Sequence, residues 1–335
     1  AISIKKDHKS EGRLSFYSNQ LIEILMVVLF VLFGLSIFDP DAGFTHGPIH
    51  IVFAILITFN LILKQVAIEG LKTRLAMYRL HQAPQPNALY RHIQPKKLVA
   101  STYDEQSTIE QKYPDNALNA LKSQKVEVLN SFDVTNPQCW QTLGQHLHSF
   151  DVVIFQFPLI PAFVGRDAFE HNTRHTSMNV LNRALLHQFI KYANEFALNT
   201  QGAGLCFITS KDVKPYREWN IEGSLNTHLN AQYQGQMPFD ISHFSGYKIR
   251  NVDRDKHVKD TSGITYVFSE KPLPELASLL TLPAYLTDNY CSLCRVGPFL
   301  ADEDKSKHFA AKKHLQMIKL EQDWQQWLTA FYKSS

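Results

Sequence analysis

Between residues 98 and 268 short apolar runs alternate with longer amphipathic stretches, and this alternation constrains the fold more than any other feature of the chain. LVAST (98–102), VEVLN (126–130), DVVIFQF (151–157) and GLCFITS (204–210) read as strands, separated by helical stretches at 105–122, 137–147, 177–198 and 216–231. Strands that are apolar at nearly every position are buried on both faces and need helices above and below them. The pattern therefore predicts an α/β fold, a doubly wound parallel sheet occupying residues 98–275. Two last strands near 238–246 and 263–268 have no helix between them and predict an antiparallel edge.

Two apolar runs precede this region. Residues 24–38 are unbroken, and residues 49–68 are interrupted mainly by Thr58, Asn60 and Lys64. Each approaches the ~20 residues that span ~30 Å of hydrocarbon. With the DPDAGFTHGP link they predict a transmembrane helical hairpin, near 21–38 and 49–68, within an anchoring segment 1–79. Two buried helices of a soluble domain are the other reading of the same runs. Lys5, Lys6, Lys9 and Arg13 before the first run, with Lys64, Lys72, Arg74 and Arg79 at the end of the second, put both ends on the cytoplasm-equivalent side. A Pro-, Gln- and His-rich linker, 80–97, follows. The chain begins at Ala1, which fits a removed initiator methionine or a cleaved targeting peptide.

At the other end, Cys291-Ser-Leu-Cys294 is followed by His308 and His314, using two of four cysteines in the chain. Two thiolates on a tight knuckle and two imidazoles from one helix, expected over 305–316, can close a tetrahedron around Zn²⁺. Phe299 and Leu315 are the expected apolar core. The pattern C-x2-C-x13-H-x5-H resembles a C2H2 finger of the matrin or snRNP-C type, with a spacer one residue longer. The module, 286–335, also carries Lys305, Lys307, Lys312, Lys313 and Lys319, which suit phosphates, although Asp302, Glu303 and Asp304 offset them. Leu320, Trp324, Trp327, Leu328 and Phe331 recur at helical spacing and predict a stripe that docks on protein.

The central region carries a second resemblance. Thr102-Tyr103-Asp104-Glu105, Lys112-Tyr113-Pro114-Asp115, Phe132-Asp133-Val134-Thr135, Phe150-Asp151 through Pro158, Lys214-Pro215-Tyr216 through Trp219, and Gly246-Tyr247 occur in order. Together they resemble the Rossmann-like domain of the 25S rRNA (uridine-N3) methyltransferase family over residues 98–270. The resemblance implies S-adenosylmethionine as cofactor, with Asp104 on the ribose hydroxyls and Asp133 near the adenine. It places Gln156-Phe157-Pro158-Leu159 at the reaction centre, where the family has Asn-Phe-Pro-His. Helix capping or turn formation is the alternative role for Asp104 and Asp133. The family's glycine loop after the first strand has only a faint echo here, Glu11-Gly12-Arg13-Leu14-Ser15-Phe16, preceded by AISI as a possible strand.

The pairs His171/His175 and His46/His50 have helical spacing but no third ligand nearby, and they read as loop or interface histidines. There is no Walker loop, nucleophile elbow or H-E-x-x-H segment. A net charge of +3 is too small to argue for nucleic acid alone. The changed reaction-centre segment, missing glycine loop and apolar hairpin point first to a membrane-anchored accessory subunit on a catalytically degenerate methyltransferase fold. Its expected home is a mitochondrial inner-membrane, respiratory-chain type complex, with the soluble domains on the matrix side. Asp104, Asp133, Gln156 and Pro158 would then be vestigial. Its expected partners are lipid and other subunits, with RNA possible and DNA not expected. The alternative is an S-adenosylmethionine-dependent rRNA uridine methyltransferase, or an RNA-binding factor, tethered to a membrane.

Overall fold

The computed structural model describes residues 2–5, 97–113, 118–160, 165–241, 250–251, 254–257 and 263–334. All belong to one compact unit made of residues 1–5 and 76–335. The apolar runs at 21–38 and 49–68, the linker up to residue 96, the loop at 11–16, His46, His50 and Gly246-Tyr247 lie outside the described residues. Among the described residues, no helix is long and apolar enough to cross a membrane.

In chain order the strands are β1 (Ile2–Lys5), β2 (Leu98–Ser101), β3 (Glu127–Leu129), β4 (Phe150–Gln156), β5 (Leu205–Lys211), β6 (Gln232–Phe239), β7 (Arg250–Asn251), β8 (Arg254–His257) and β9 (Gly263–Ser269). The helices are α1 (Gln106–Lys112), α2 (Leu118–Ser123), α3 (Pro137–Gln141), α4 (Gly165–Thr173), α5 (Met178–Tyr192), α6 (Ile221–Ser224), α7 (Pro274–Ala277), α8 (Asp302–Ala310) and α9 (Lys312–Ser334). Seven strands form one sheet in the order β3-β2-β1-β4-β5-β9-β6, and β7 and β8 form a separate ribbon.

The sheet is mixed, which corrects the expectation of a parallel one. β2 pairs parallel with β3 and β4 with β5, as the apolar strands predict. β9 runs antiparallel to both β5 and β6, with β9 inside β6. The partner strand is Gln232–Phe239, earlier than the expected 238–246, and the helix expected over 216–231 is only a turn at Tyr216–Trp219 and the short α6. The possible strand AISI is present as β1, and its direction is what the sequence did not predict. Its four residues fill the gap between β2 and β4 and run antiparallel to both, with Ile2 opposite Ala100 and Ile154 and Ile4 opposite Leu98 and Val152. The chain thus leaves β1 at the edge where β2 and β4 begin. A ladder can be completed in either direction by a short strand, and four residues carry no pattern that encodes the choice.

The core follows from alternation along β4 and β5. Val152, Val153 and Ile154 are fully buried, as are Cys206, Phe207 and Ile208, so both faces of the sheet are covered. On one face Phe155 meets Phe189 of α5 at 4.7 Å between ring centroids, and Trp140 lies between Phe132 and Phe189. The Ser177 hydroxyl accepts from Val180 N and caps α5, and a π-turn at Ala193–Ala197 ends it.

α9 docks on this same layer, which corrects the expectation that its aromatic stripe faces a partner. Trp324 and Leu328 are fully buried, and Trp324 Nε1 donates to the Ser224 carbonyl at 3.2 Å. The Arg183 guanidinium lies 4.7 Å above the Trp324 ring and contacts Glu321 at 2.9 Å. His187 approaches the Leu225 carbonyl through Nδ1 at 2.7 Å and the Tyr332 hydroxyl through Nε2 at 2.9 Å.

Candidate functional site

Parallel strands place their carboxyl ends on one edge, and ligands of open α/β sheets bind there because the loops that follow are free to vary. Asp104 and Asp133 follow β2 and β3, and Gln156 ends β4 with Pro158 two residues on. The structure therefore brings all four predicted residues to one edge. The turns there are tight: Ser131 and Phe157 are non-glycine residues with φ of 55° and 45°. Such backbone costs of the order of 1 kcal/mol or more at each residue and persists where surrounding contacts hold it. Phe157 is held by its N–H, which donates to the Thr209 carbonyl at 2.9 Å, and by an edge-on contact with Phe239.

The four residues differ in what they already do. Asp133 Oδ1 accepts from the Thr135 N–H at 2.8 Å and the Thr135 hydroxyl at 2.7 Å, so one carboxylate oxygen is a turn-former, as the alternative role supposed. Asp104 is half-buried, and its carbonyl accepts from Ser131 N, tying the β2 loop to the β3 loop. Pro158 is buried. Gln156 has both amide atoms, Oε1 and Nε2, buried with no hydrogen-bond partner among the described residues. Ser210 Oγ near the end of β5 and Asn130 Oδ1 just past β3 are in the same state. Leaving buried polar groups unpaired costs about 1–3 kcal/mol each. Three of them lie on this one edge. Sequence reasoning missed Asn130 and Ser210, because an unpaired atom is a property of packing, not of a motif.

The edge is unusual on its β1 side. Because β1 runs antiparallel, its last residue, Lys5, lies at the opposite edge of the sheet. The donors and acceptors described here come from the ends of β2 through β5.

The metal quartet assembles as expected. The ligand atoms of Cys291, Cys294, His308 and His314 all lie within 4.8 Å of one another, and among the described residues they are the one such group. Both Sγ atoms are 3.5 Å from His314 Nδ1. The knuckle is closed by the Cys291 N–H to the Val296 carbonyl at 2.8 Å and its return bond at 3.2 Å, with Arg295 in the left-handed region. Gly297 has φ of +146°, and a Cβ there would meet Tyr290 at 2.6 Å, so only glycine fits. Burial, then the neighbouring Cys291, push the Cys294 thiol up to about 12, so metal binding must displace protons. His308 Nε2 is buried without a partner, as a ligand nitrogen would be.

Two details of this module correct the sequence reading. One continuous helix would put His308 and His314, six residues apart, about 240° apart around its axis and thus on different faces. The structure breaks the helix at Ala311, whose ψ of 140° is extended, and so turns both rings toward the cysteines. Leu315 is 56 % exposed and is not the core residue, whereas Met317 is buried; Phe309, itself partly exposed, lays one side of its ring 4.8 Å from His314 and 6.2 Å from Phe299.

The module is also fastened to the sheet, which no motif announced. Arg295 donates to Glu222 on α6, to Asp212 just past the carboxyl end of β5 at 3.4 Å, and to the Tyr266 hydroxyl of β9 at 3.2 Å. His171 and His175, on or beyond α4, are exposed, and among the described residues they belong to no group that could hold a metal.

Residues 86–251 match the family described as rRNA (uridine-N3-)-methyltransferase BTM5-like, so the family resemblance read from the motifs holds over that segment. No curated protein matches the chain. The family match overturns the expectation of a membrane-anchored accessory subunit in a mitochondrial inner-membrane, respiratory-chain complex, and it favours the methyltransferase alternative.

Proposed function

We propose that the protein is an S-adenosylmethionine-dependent methyltransferase that modifies N3 of uridine in rRNA. The domain 98–275 would carry the chemistry, and 286–335 would be a zinc module fixed against it. The observation that carries the reading is the row of unpaired buried groups, Asn130, Gln156 and Ser210, on the carboxyl edge of a segment that matches the family. A nucleoside is rich in donors and acceptors and suits such an edge.

When bound, S-adenosylmethionine supplies a methyl group activated by its sulfonium. The protein's part is placement and electrostatics. The Asp104 carboxylate would accept from the ribose hydroxyls. The second oxygen of Asp133, the one not committed to Thr135, would accept from the adenine amine. The Gln156 amide would donate to a uracil carbonyl and orient the ring. Pro158 and Phe157 would form one wall of the site. Uracil N3 must give up its proton before or during attack, and that proton would pass to solvent at the open edge.

Cys291, Cys294, His308 and His314 would hold Zn²⁺ with four protein ligands. A closed set of four leaves no open position, so the ion is structural, not a Lewis acid in the reaction. The full chain should transfer label from S-adenosylmethionine to rRNA, with N3-methyluridine in the nuclease digest. Label in another nucleoside would move the assignment away from uracil N3, and no transfer with no binding of the cofactor would end the enzymatic reading.

A further inference from the structure

The zinc module faces outward with a surface that the catalytic edge does not use. From Lys305 to Leu320 the chain has five lysines and no Asp or Glu. Lys312, Lys313 and Lys319 of α9 are exposed, as is Lys307 of α8. Two thiolates and a dication cancel, and with Lys307 paired to Glu303 at 3.9 Å the outer positive field comes chiefly from Lys312, Lys313 and Lys319. Asp302, Glu303 and Asp304 are confined to the first turn of α8, where they complement the helix dipole. Phe309, at the break between the helices, is 39 % exposed and precedes Lys312 and Lys313 by three and four residues. Lysines interleaved with an exposed aromatic ring are what a single-stranded nucleic acid requires: charge for phosphates and a face on which a base can stack.

This surface is not a loose tail. Arg295, inside the metal knuckle, ties the module to Asp212 and so to the carboxyl edge on which Asp104, Asp133 and Gln156 lie. We infer that the α8–α9 elbow is an RNA-binding surface that grips the strand beside the target nucleotide and presents it to that edge. The inference rests on the RNA-methyltransferase reading, and it assigns to the module the substrate contact that the edge itself, lined by acids and amides, does not supply.

The test uses the zinc-loaded full chain and a labelled single-stranded oligoribonucleotide, read by fluorescence anisotropy at several salt concentrations. The variant K312Q/K313Q/K319Q should bind about tenfold or more weakly, and its log–log salt slope should be shallower by about 2, three phosphate contacts at ~0.7 each. Its zinc content and its heat of S-adenosylmethionine binding should be unchanged. K122Q/K125Q, which removes lysines near the amino end of β3, should bind RNA as the wild type does. Unchanged affinity and slope in the triple variant would overturn the inference and leave the elbow to another partner, such as a protein. An equal loss in the distal variant would also overturn it, since bulk charge would then explain the binding. Loss of cofactor binding by the wild type, with the lysine effect intact, would strike the enzymatic reading alone.

Discussion

Arg295 and Glu222, 73 residues apart in sequence, meet in a two-pronged ion pair, with Nε to Oε1 and Nη2 to Oε2 both at 2.9 Å. The guanidinium side chain is 11 % exposed and the carboxylate 1 %. Because Arg295 follows Cys294 of the Cys/His cluster and Glu222 lies on α6, this pair fastens that cluster to the α/β domain. Removing one partner of a buried pair strands the other charge, at a cost of about 3–5 kcal/mol. Arg295→Ala should lose stability of that order in urea unfolding of the zinc-loaded chain. The double variant R295A/E222Q should lose less than R295A alone. A loss below ~1 kcal/mol in R295A would mean the pair behaves as a surface contact.

The metal site should take up one equivalent of Co²⁺ with the absorption of a tetrahedral thiolate–imidazole centre, and Zn²⁺ should displace it. Cys291→Ser and His308→Ala should each weaken binding strongly. Chelation should lower the thermal midpoint of the full chain, because α8 and the start of α9 have little apolar core apart from Phe299, Phe309 and Met317. An octahedral cobalt spectrum, or no uptake, would count against the four-ligand assignment.

His187 makes a pH prediction. It is fully buried, and burial lowers its pKa to about 4, against the pull of the Leu225 carbonyl; His228 and Lys191 lower it further. The unfolded chain, with an ordinary pKa of about 6.5, binds the proton first as pH falls, so this contribution to stability is intact above pH ~6.5 and is lost down to pH ~4. The slope in that window is at most ~1.4 kcal/mol per pH unit. His187→Gln should be less stable at neutral pH but should show a flatter fall between pH 7 and 4.5. Acid release of zinc affects both proteins alike, so parallel curves would show that His187 is not the titrating group.

Local pattern reaches some of this architecture and not the rest. Val152 to Ile154 and Cys206 to Ile208 read as buried strands because each is apolar without a break, and their burial needs no distant partner to predict. The metal quartet is legible because thiolates and imidazoles at finger spacing have few other uses. The direction of β1 is not legible, since Ile2–Lys5 pairs equally well either way. The break at Ala311 is hidden because alanine favours helix, and nothing local marks the extended backbone that brings His308 and His314 together. The docking of Trp324 on Ser224 and Arg183, and of Arg295 on Glu222, joins positions far apart in sequence. An apolar stripe or a lone arginine says that a partner exists, but not which one.

The most direct measurement for the account as a whole is calorimetric titration of the zinc-loaded full chain with S-adenosylmethionine. The account predicts one site per chain, weakened at least tenfold by Asp104→Ala, with Gln156→Leu reducing methyl transfer to RNA more than cofactor affinity. It would be contradicted by the absence of heat for the wild type, or by binding that Asp104→Ala leaves unchanged.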